Sequence, residues 1–214
     1  SEGNSNNKYL EIYNGTGESV DLSSYLIRYS QNGASAWNST ELGLNGTLLD
    51  GDVYVVAHSS ADASILAESD TTESSISAFN GDDVRGLFKI TNNDTSLIDI
   101  FATQTGGDPG SGWDVAGVTN ATQNHTLVRK SSVSSGNTNW STSAGTTTDN
   151  SEWIVYDLQT WSYLGSHTMI LPNLLSEGFE SGSIPENWSV LNLDNHSANW
   201  YAYESSFYAH SGSF

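Results

Sequence analysis

Residues 79–101 hold the pattern that most constrains the fold: two short apolar segments joined by a polar turn. The first segment, residues 84–90, follows an Asn-Gly pair, and the second, residues 97–101, comes shortly after Asn92-Asn93-Asp94. Asparagine and glycine adopt the backbone conformations of tight hairpin turns, and apolar runs of this length pair as strands. The stretch therefore predicts an antiparallel strand pair with one buried face.

The same pattern recurs along most of the chain, where short apolar runs end at glycine or asparagine. Short strands with little helix predict an all-β fold, most simply a sandwich. One short helix is predicted over residues 59–67, where Ser59 and Asp62 have the spacing of a capping box, and residues 131–148 are predicted to be a polar loop. Further strands are predicted over residues 9–13, 26–29, 53–57, 126–130 and 153–156.

The charge balance limits the classes of partner. The 214 residues include 25 acidic and 6 basic ones, a net charge of −19. Nucleic-acid binding requires clustered Lys and Arg, so this charge opposes nucleic acid as a partner. A solvated acidic surface is the ordinary interpretation of such a charge, and an acidic binding patch is the alternative. No apolar run is long enough to span a bilayer, which predicts no membrane insertion.

The content of small polar residues points to the compartment. The chain lacks cysteine, which excludes disulfides and thiolate sites. Its richness in Ser, Thr, Asn and Gly is typical of bacterial extracellular proteins, so we expect an extracellular or cell-surface location. Both ends are interpreted as cuts within a longer secreted protein.

Several stretches, taken in order, resemble the bacterial lamin-tail domain. This resemblance spans residues 1–168 and implies an immunoglobulin-like β-sandwich that serves secreted nucleases, hydrolases and surface proteins as a non-catalytic module. It also implies a further strand before residues 4–7, which is missing here, and a glycine where Ala102 stands. The matching stretches are residues 4–14, 20–25, 49–56, 79–83 with Leu87, 98–100, 126–130, 152–153 and 164–167.

The end of the chain has a different pattern. Residues 169–175 contain a proline and are predicted to be a linker. Residues 176–214 resemble the opening of a jelly-roll domain of the choice-of-anchor or cleaved-adhesin type, through motifs such as Gly178-Phe179-Glu180. The resemblance implies an incomplete jelly roll with a structural Ca²⁺ near Glu180, for which Asp194 is a second candidate ligand. No cofactor is predicted for the sandwich.

Asp99 is the acidic residue whose role depends most on strand register. It lies between Ile98 and Ile100, so its side chain points away from theirs. If the isoleucines face the core, Asp99 is exposed. In the reverse register Asp99 is buried and needs a cationic partner, for which Arg85 and Arg129 are the candidates.

The remaining polar groups predict no catalytic site. The adjacent Asp82 and Asp83, and the pair Asp50 and Asp52, are interpreted as turn residues, with Ca²⁺ binding as the alternative. The five histidines are scattered, so the sequence does not support a zinc site.

Tryptophans in or beside polar loops are the best candidates for ligand contact. Trp37, Trp113 and Trp140 could stack on sugar rings or on a partner protein. The alternative is that each closes one end of the sandwich.

We therefore expect a non-catalytic binding or adhesion module of a larger secreted or surface-anchored bacterial protein, with a glycan or surface protein as partner. The alternative is an accessory targeting domain of an extracellular nuclease or other hydrolase whose active site lies outside this chain. Direct association with DNA is a third hypothesis, and the net charge opposes it.

Overall fold

The asparagine-rich turn in the middle of the chain joins two eight-residue strands, as predicted. In the computed structural model, which describes residues 1–170, Val84–Thr91 pairs antiparallel with Asp94–Phe101. The turn residues Asn92 and Asn93 have φ values of 53° and 65°. Two consecutive positive φ values define a type I′ turn, whose twist matches that of the strands it joins.

The described residues are mostly strands and loops, with three short α-helices and two single-turn 3-10 helices, so the predicted all-β class is confirmed. None of these helices has the length and hydropathy needed to cross a membrane. The helices are α1 (Ala63–Ala67), α2 (Ser74–Ser77) and α3 (Trp140–Ala144). The strands are β1 (Tyr9–Tyr13), β2 (Val20–Asp21), β3 (Tyr25–Ser30), β4 (Glu41–Gly43), β5 (Thr47–Leu48), β6 (Val53–Ala57), β7 (Thr71–Thr72), β8 (Val84–Thr91), β9 (Asp94–Phe101), β10 (Thr126–Arg129) and β11 (Trp153–Tyr156).

The strands form two larger sheets and two ribbons. One sheet has the order β4-β3-β8-β9 and the other has the order β1-β6-β7, while β10 pairs with β11 and β2 pairs with β5. All pairs are antiparallel except β6 with β7, which is parallel. A register shift between Leu87 and Phe88 places Asp99 opposite Leu87 and Leu97 opposite Phe88, leaving Ile98 as an extra residue in β9.

Strand β6 lies between two apolar clusters. All five of its residues are buried, as expected for a strand that is covered on both faces. On one face, Tyr54 and Val56 pack in a cluster with Ile27 and Tyr29 of β3. On the other face, Val53, Val55 and Ala57 pack in a cluster with Tyr9 and Ile65.

The predicted helix is shorter than expected, and its capping box does not form. Helix α1 begins at Ala63. Asp62 caps it by accepting a hydrogen bond from the Ser64 amide at 2.9 Å, whereas the Ser59 hydroxyl lies 2.8 Å from that of Ser74. The expectation of helix from residue 59 is therefore wrong, because Ser59 bonds to another segment.

Two further expectations concern local conformation. The predicted polar loop over residues 131–148 contains α3, which is capped by Asn139.

Ala102 is fully buried and has φ of 70°, in the left-handed region that favours glycine. The turn after β9 thus has the backbone conformation of a glycine position, although its residue is alanine.

The predicted jelly-roll segment over residues 176–214 lies outside the described residues, as does the predicted linker from residue 171 onward. The same holds for Glu180 and Asp194, so the expected Ca²⁺ site stays a prediction.

The burial of α1 predicts the effect of truncating its central side chain. Ile65 is fully buried, so Ile65→Ala should lower the free energy of unfolding by about 2–5 kcal/mol, through lost transfer energy and the remaining cavity. Urea unfolding followed by tryptophan fluorescence measures this. Leu49→Ala is the matched control, because Leu49 is 60% exposed and its truncation should change stability by less than about 0.5 kcal/mol. Equal losses in the two variants would contradict the packing described here.

Candidate binding groove

A groove lies between β1 and β10, the neighbouring edges of two sheets that do not pair with each other. It encloses a volume of about 460 Å³, within the range of small-molecule and peptide sites. Its floor is apolar and comes from several strands. The apolar lining includes Leu10, Ile12, Ile27, Leu87, Ile100 and Leu127.

Strand β1 presents backbone hydrogen-bonding groups to this groove. The groups of Lys8 and Asn14 bond toward β6, through the His58 amide at 3.0 Å and the Asp52 carbonyl at 2.9 Å. Successive residues of a strand point their N–H and C=O groups to opposite sides. The groups of the odd-numbered residues Tyr9, Glu11 and Tyr13 therefore point into the groove.

Strand β10 also presents backbone hydrogen-bonding groups to the groove, from the side opposite β1. The Lys130 amide donates to the Glu152 carbonyl at 2.7 Å, on the β11 side, whereas the His125 carbonyl accepts from the Glu2 amide at 3.0 Å, on the groove side. By the same alternation, the backbone groups of Leu127 and Arg129 point into the groove. The groove is thus bordered by two strand edges.

Burial shifts the pKa of the polar groups in the groove. It raises the pKa of the Glu11 carboxyl to about 7, although a hydrogen bond from the Gly165 amide at 2.8 Å opposes the shift. Burial also raises the pKa of Tyr9 and lowers that of the Ser1 amino group to about 5. Each shift favours the neutral form, because an apolar groove solvates charge poorly.

Arg129 resolves the alternatives left open for Asp99. Its Nη1 atom lies 3.2 Å from Asp99 Oδ2, and the Asn137 amide donates to Asp99 Oδ1 at 2.9 Å. The guanidinium also lies 4.3 Å from the ring centroid of Trp153. Burial raises the pKa of Asp99, although the charge of Arg129 opposes this. Asp99 is thus the half-buried partner of Arg129.

Arg85 has a different role from the one considered for it. It is buried, and it donates to the backbone carbonyls of Ile76 at 2.5 Å and Val84 at 3.0 Å. Its guanidinium carbon lies 5.2 Å from the ring centroids of both Tyr29 and Phe79. Burial lowers its pKa to about 10. The candidate pairing of Arg85 with Asp99 is therefore wrong.

The three candidate tryptophans all contact one apolar cluster. Trp140 is only 5% exposed and packs against Phe101 and Trp153, with ring centroids 5.2 and 6.2 Å apart. Its predicted role as a ligand-stacking residue is wrong, because its ring faces lie in the core. Trp37 and Trp113 are partly buried, and their role in ligand contact stays a prediction.

The acidic pairs act in turns. Asp50 accepts from the Gly17 amide at 2.8 Å, and Asp52 accepts from the Val53 amide at 2.9 Å. Asp83 joins two segments by accepting from the Asn32 amide at 3.0 Å. Across residues 1–170, no group of three or more His, Asp or Glu side chains is placed to hold a metal ion.

The groove was not foreseen from the sequence. Glu11 lies in a segment that the sequence marks only as a strand, and no local pattern shows whether a strand edge is paired. Comparison with known protein families, curated proteins and solved structures found no match to this chain.

The Arg129–Asp99 pair predicts a difference between two arginines. The side chains of Arg129 and Asp99 are 15% and 31% exposed, against 26% and 43% for Arg28 and Glu41. Arg129→Met should cost about 1–3 kcal/mol of unfolding free energy, because it leaves a partly buried carboxylate without its cation. Arg28→Met removes a more exposed pair and should cost about 1 kcal/mol or less. Urea unfolding measures both changes. If Arg28→Met lowered the free energy of unfolding as much as Arg129→Met does, the assignment of Arg129 as the more strongly stabilising partner would be refuted.

The raised pKa of Glu11 predicts a pH dependence of stability. The carboxyl titrates near pH 4.5 when unfolded and near pH 7 when folded, so its contribution to stability is lost as pH rises through this window. Glu11→Gln removes that loss. The free energy of unfolding of the variant, taken relative to that of the parent, should rise by about 1 kcal/mol between pH 4.5 and pH 7.5, after allowance for partial exposure of Glu11. Glu18→Gln, at an exposed position, is the control, and parallel profiles for Glu11→Gln and the parent would contradict the assignment.

Proposed function

We propose that residues 1–168 form an immunoglobulin-like β-sandwich of lamin-tail type that serves as a non-catalytic, extracellular binding or adhesion module. Its partner is a glycan or a surface protein. The observation that carries this proposal is the way in which the fold uses its few cations.

The six basic side chains all lie among the described residues. Two of them, Arg85 and Lys130, donate to backbone carbonyl oxygens. Lys89 is exposed and lies 5.6 Å from the ring centroid of Tyr25. Three are paired with carboxylates, as Lys8–Glu2 (2.9 Å), Arg28–Glu41 (2.9 Å) and Arg129–Asp99 (3.2 Å).

Five of the six cationic side chains therefore bind groups of the same chain. The 25 acidic residues outnumber the cations and give the chain a net charge of −19. Such a surface attracts cationic partners, tolerates neutral ones and repels polyanions. These are the properties expected of a module that binds a neutral glycan or a basic protein surface.

A panel of ligands of different charge tests this proposal. The immobilised chain should bind at least one neutral oligosaccharide or cationic polypeptide, and it should not bind heparin or a 20-base-pair DNA duplex at 50 mM salt. Binding to a cationic polypeptide should weaken between 50 and 200 mM salt, because counterions screen the attraction. Biolayer interferometry measures both affinities.

Tryptophan variants separate glycan stacking from charge. If a neutral oligosaccharide binds, Trp37→Ala or Trp113→Ala should reduce its affinity about tenfold or more, while Leu49→Ala, at an exposed apolar position, should not. Tight binding of the DNA duplex, or hydrolysis of a substrate by residues 1–170 alone, would overturn the proposal.

A further inference from the structure

We propose that Asn45 is a site of spontaneous deamidation, at which water converts the side-chain amide to a carboxylate while the protein stays folded. The chain contains four Asn-Gly pairs, which begin at Asn14, Asn32, Asn45 and Asn80. The fold holds three of these pairs in place and leaves the one at Asn45 accessible. This inference does not rest on the proposed function.

Deamidation requires two groups of adjacent residues to meet. The backbone nitrogen that follows the asparagine loses its proton to hydroxide and attacks the side-chain Cγ, so that an N–Cγ bond forms. The Cγ–Nδ2 bond breaks, and the side-chain nitrogen takes a proton from water and leaves as ammonia. Water then opens the resulting succinimide ring at either carbonyl, which gives aspartate or isoaspartate. Glycine favours the attack, because it has no Cβ to hinder the approach and its backbone is the most free to rotate.

The pair at Asn45 meets these requirements. Asn45 and Gly46 lie in the turn between β4 and β5, where both residues are exposed. Gly46 has φ of 93°, and no atom outside the adjacent residues lies within 4 Å of the position that a Cβ would take. Across residues 1–170, neither the Asn45 side chain nor the Gly46 amide forms a hydrogen bond. The attacking nitrogen and the leaving group are therefore both accessible to water.

Asn14 is held by its side chain. It is 4% exposed, and its Nδ2 atom donates to the carbonyl oxygens of Glu18 at 2.8 Å and Leu48 at 3.0 Å. Its Oδ1 atom accepts from the Thr16 amide at 3.1 Å. The leaving nitrogen is thus fixed and shielded from water, and its release would leave two carbonyl oxygens without this donor.

Asn32 is held by the backbone on both sides of it. Its side chain is exposed, but its amide donates to Asp83 Oδ1 at 3.0 Å, and the carbonyl of the buried Gly33 accepts from the Gly106 amide at 2.9 Å. A Cβ at Gly33 would lie 2.8 Å from the Gly107 carbonyl oxygen. The Gly33 nitrogen can turn toward the Asn32 side chain only if this packing opens.

Asn80 is held by its side chain and by the glycine that follows it. Gly81 is buried, and its carbonyl accepts from the Thr122 hydroxyl at 2.6 Å. The Asn80 amide lies against the carboxyl groups of Asp82 and Asp83, and its nitrogen donates to Asp83 Oδ2 at 3.1 Å in the orientation that gives each group a partner. Nearby negative charge also disfavours removal of the Gly81 amide proton.

These differences determine the relative rates of the four pairs. A held pair reacts only in the fraction of molecules in which its surroundings have opened locally. Its rate of deamidation is therefore the rate of the unfolded pair multiplied by that fraction. Asn45 needs no such opening, so its rate in the folded protein should be close to its rate in the unfolded chain.

Deamidation at Asn45 changes both the charge and the main chain of this turn. Aspartate adds one negative charge, and isoaspartate also adds a methylene group to the main chain between β4 and β5. The Gly46 carbonyl accepts from the amide of Leu22, a core residue, at 2.9 Å. Because the added methylene displaces this acceptor, the isoaspartate form should unfold at a lower urea concentration than the parent.

The test incubates the folded full chain at mildly alkaline pH in water enriched in heavy oxygen, which labels every site that reacts during the incubation. Peptide mapping by mass spectrometry then gives the rate at each pair, so that Asn14, Asn32 and Asn80 serve as internal controls. The same incubation in concentrated urea gives the rates without structure. Asn45 should react at least tenfold faster than each control in the folded chain, whereas the four rates in urea should agree within about threefold.

Two variants check the assignment by anion exchange, which separates the more acidic deamidated form. Asn45→Gln should remove the acidic form that accumulates in the folded chain. Asn4→Gln is the matched control, because Asn4 is exposed but precedes a serine, and it should leave that form unchanged.

Three outcomes would overturn the proposal. The first is a rate at Asn14, Asn32 or Asn80 in the folded chain that equals or exceeds the rate at Asn45. The second is an Asn45 that stays unmodified in the folded chain. The third is an acidic form that accumulates equally in Asn45→Gln and in the parent.

Discussion

The burial of β6 on both faces is the constraint on which the rest of the described structure depends. One face of this strand packs on β3, and the other packs on α1 and Tyr9. A strand in that position must be apolar at every residue, and Val53–Ala57 meets this requirement. Because β1 and β7 flank β6, the location of α1 and the edge of the groove both follow from it.

Those parts of the fold whose signal is local could be predicted from the sequence. The strands at residues 53–57 and 84–90, and the turn at Asn92-Asn93, are set by β-branched runs and by residues that tolerate positive φ. The start of α1 could not be predicted, because Ser59 bonds to Ser74, fifteen residues away. Helix α3 was not predicted, for a similar reason. Its residues are mostly small and polar, and Trp140 is buried by tertiary packing.

The surroundings of the candidate site could not be predicted, because they are determined by residues far apart in the sequence. The extra residue Ile98 interrupts the alternation of side chains between the two faces of β9. The face on which Asp99 lies could therefore not be predicted from that alternation. The choice between Arg85 and Arg129 then depends on which strands lie on either side of the groove. Nothing in either arginine's neighbouring residues indicates that one lies between Tyr29 and Phe79 and the other near Trp153.

The two-residue turn between β8 and β9 has a consequence for the order of folding. A hairpin closed by so short a loop forms in about 1–10 μs, whereas β1 must find β6 across some forty intervening residues and bear a larger closure entropy. Contacts between neighbours in sequence form before distant ones. We therefore expect the β8–β9 hairpin to form early in folding and the pairing of β1 with β6 to follow it.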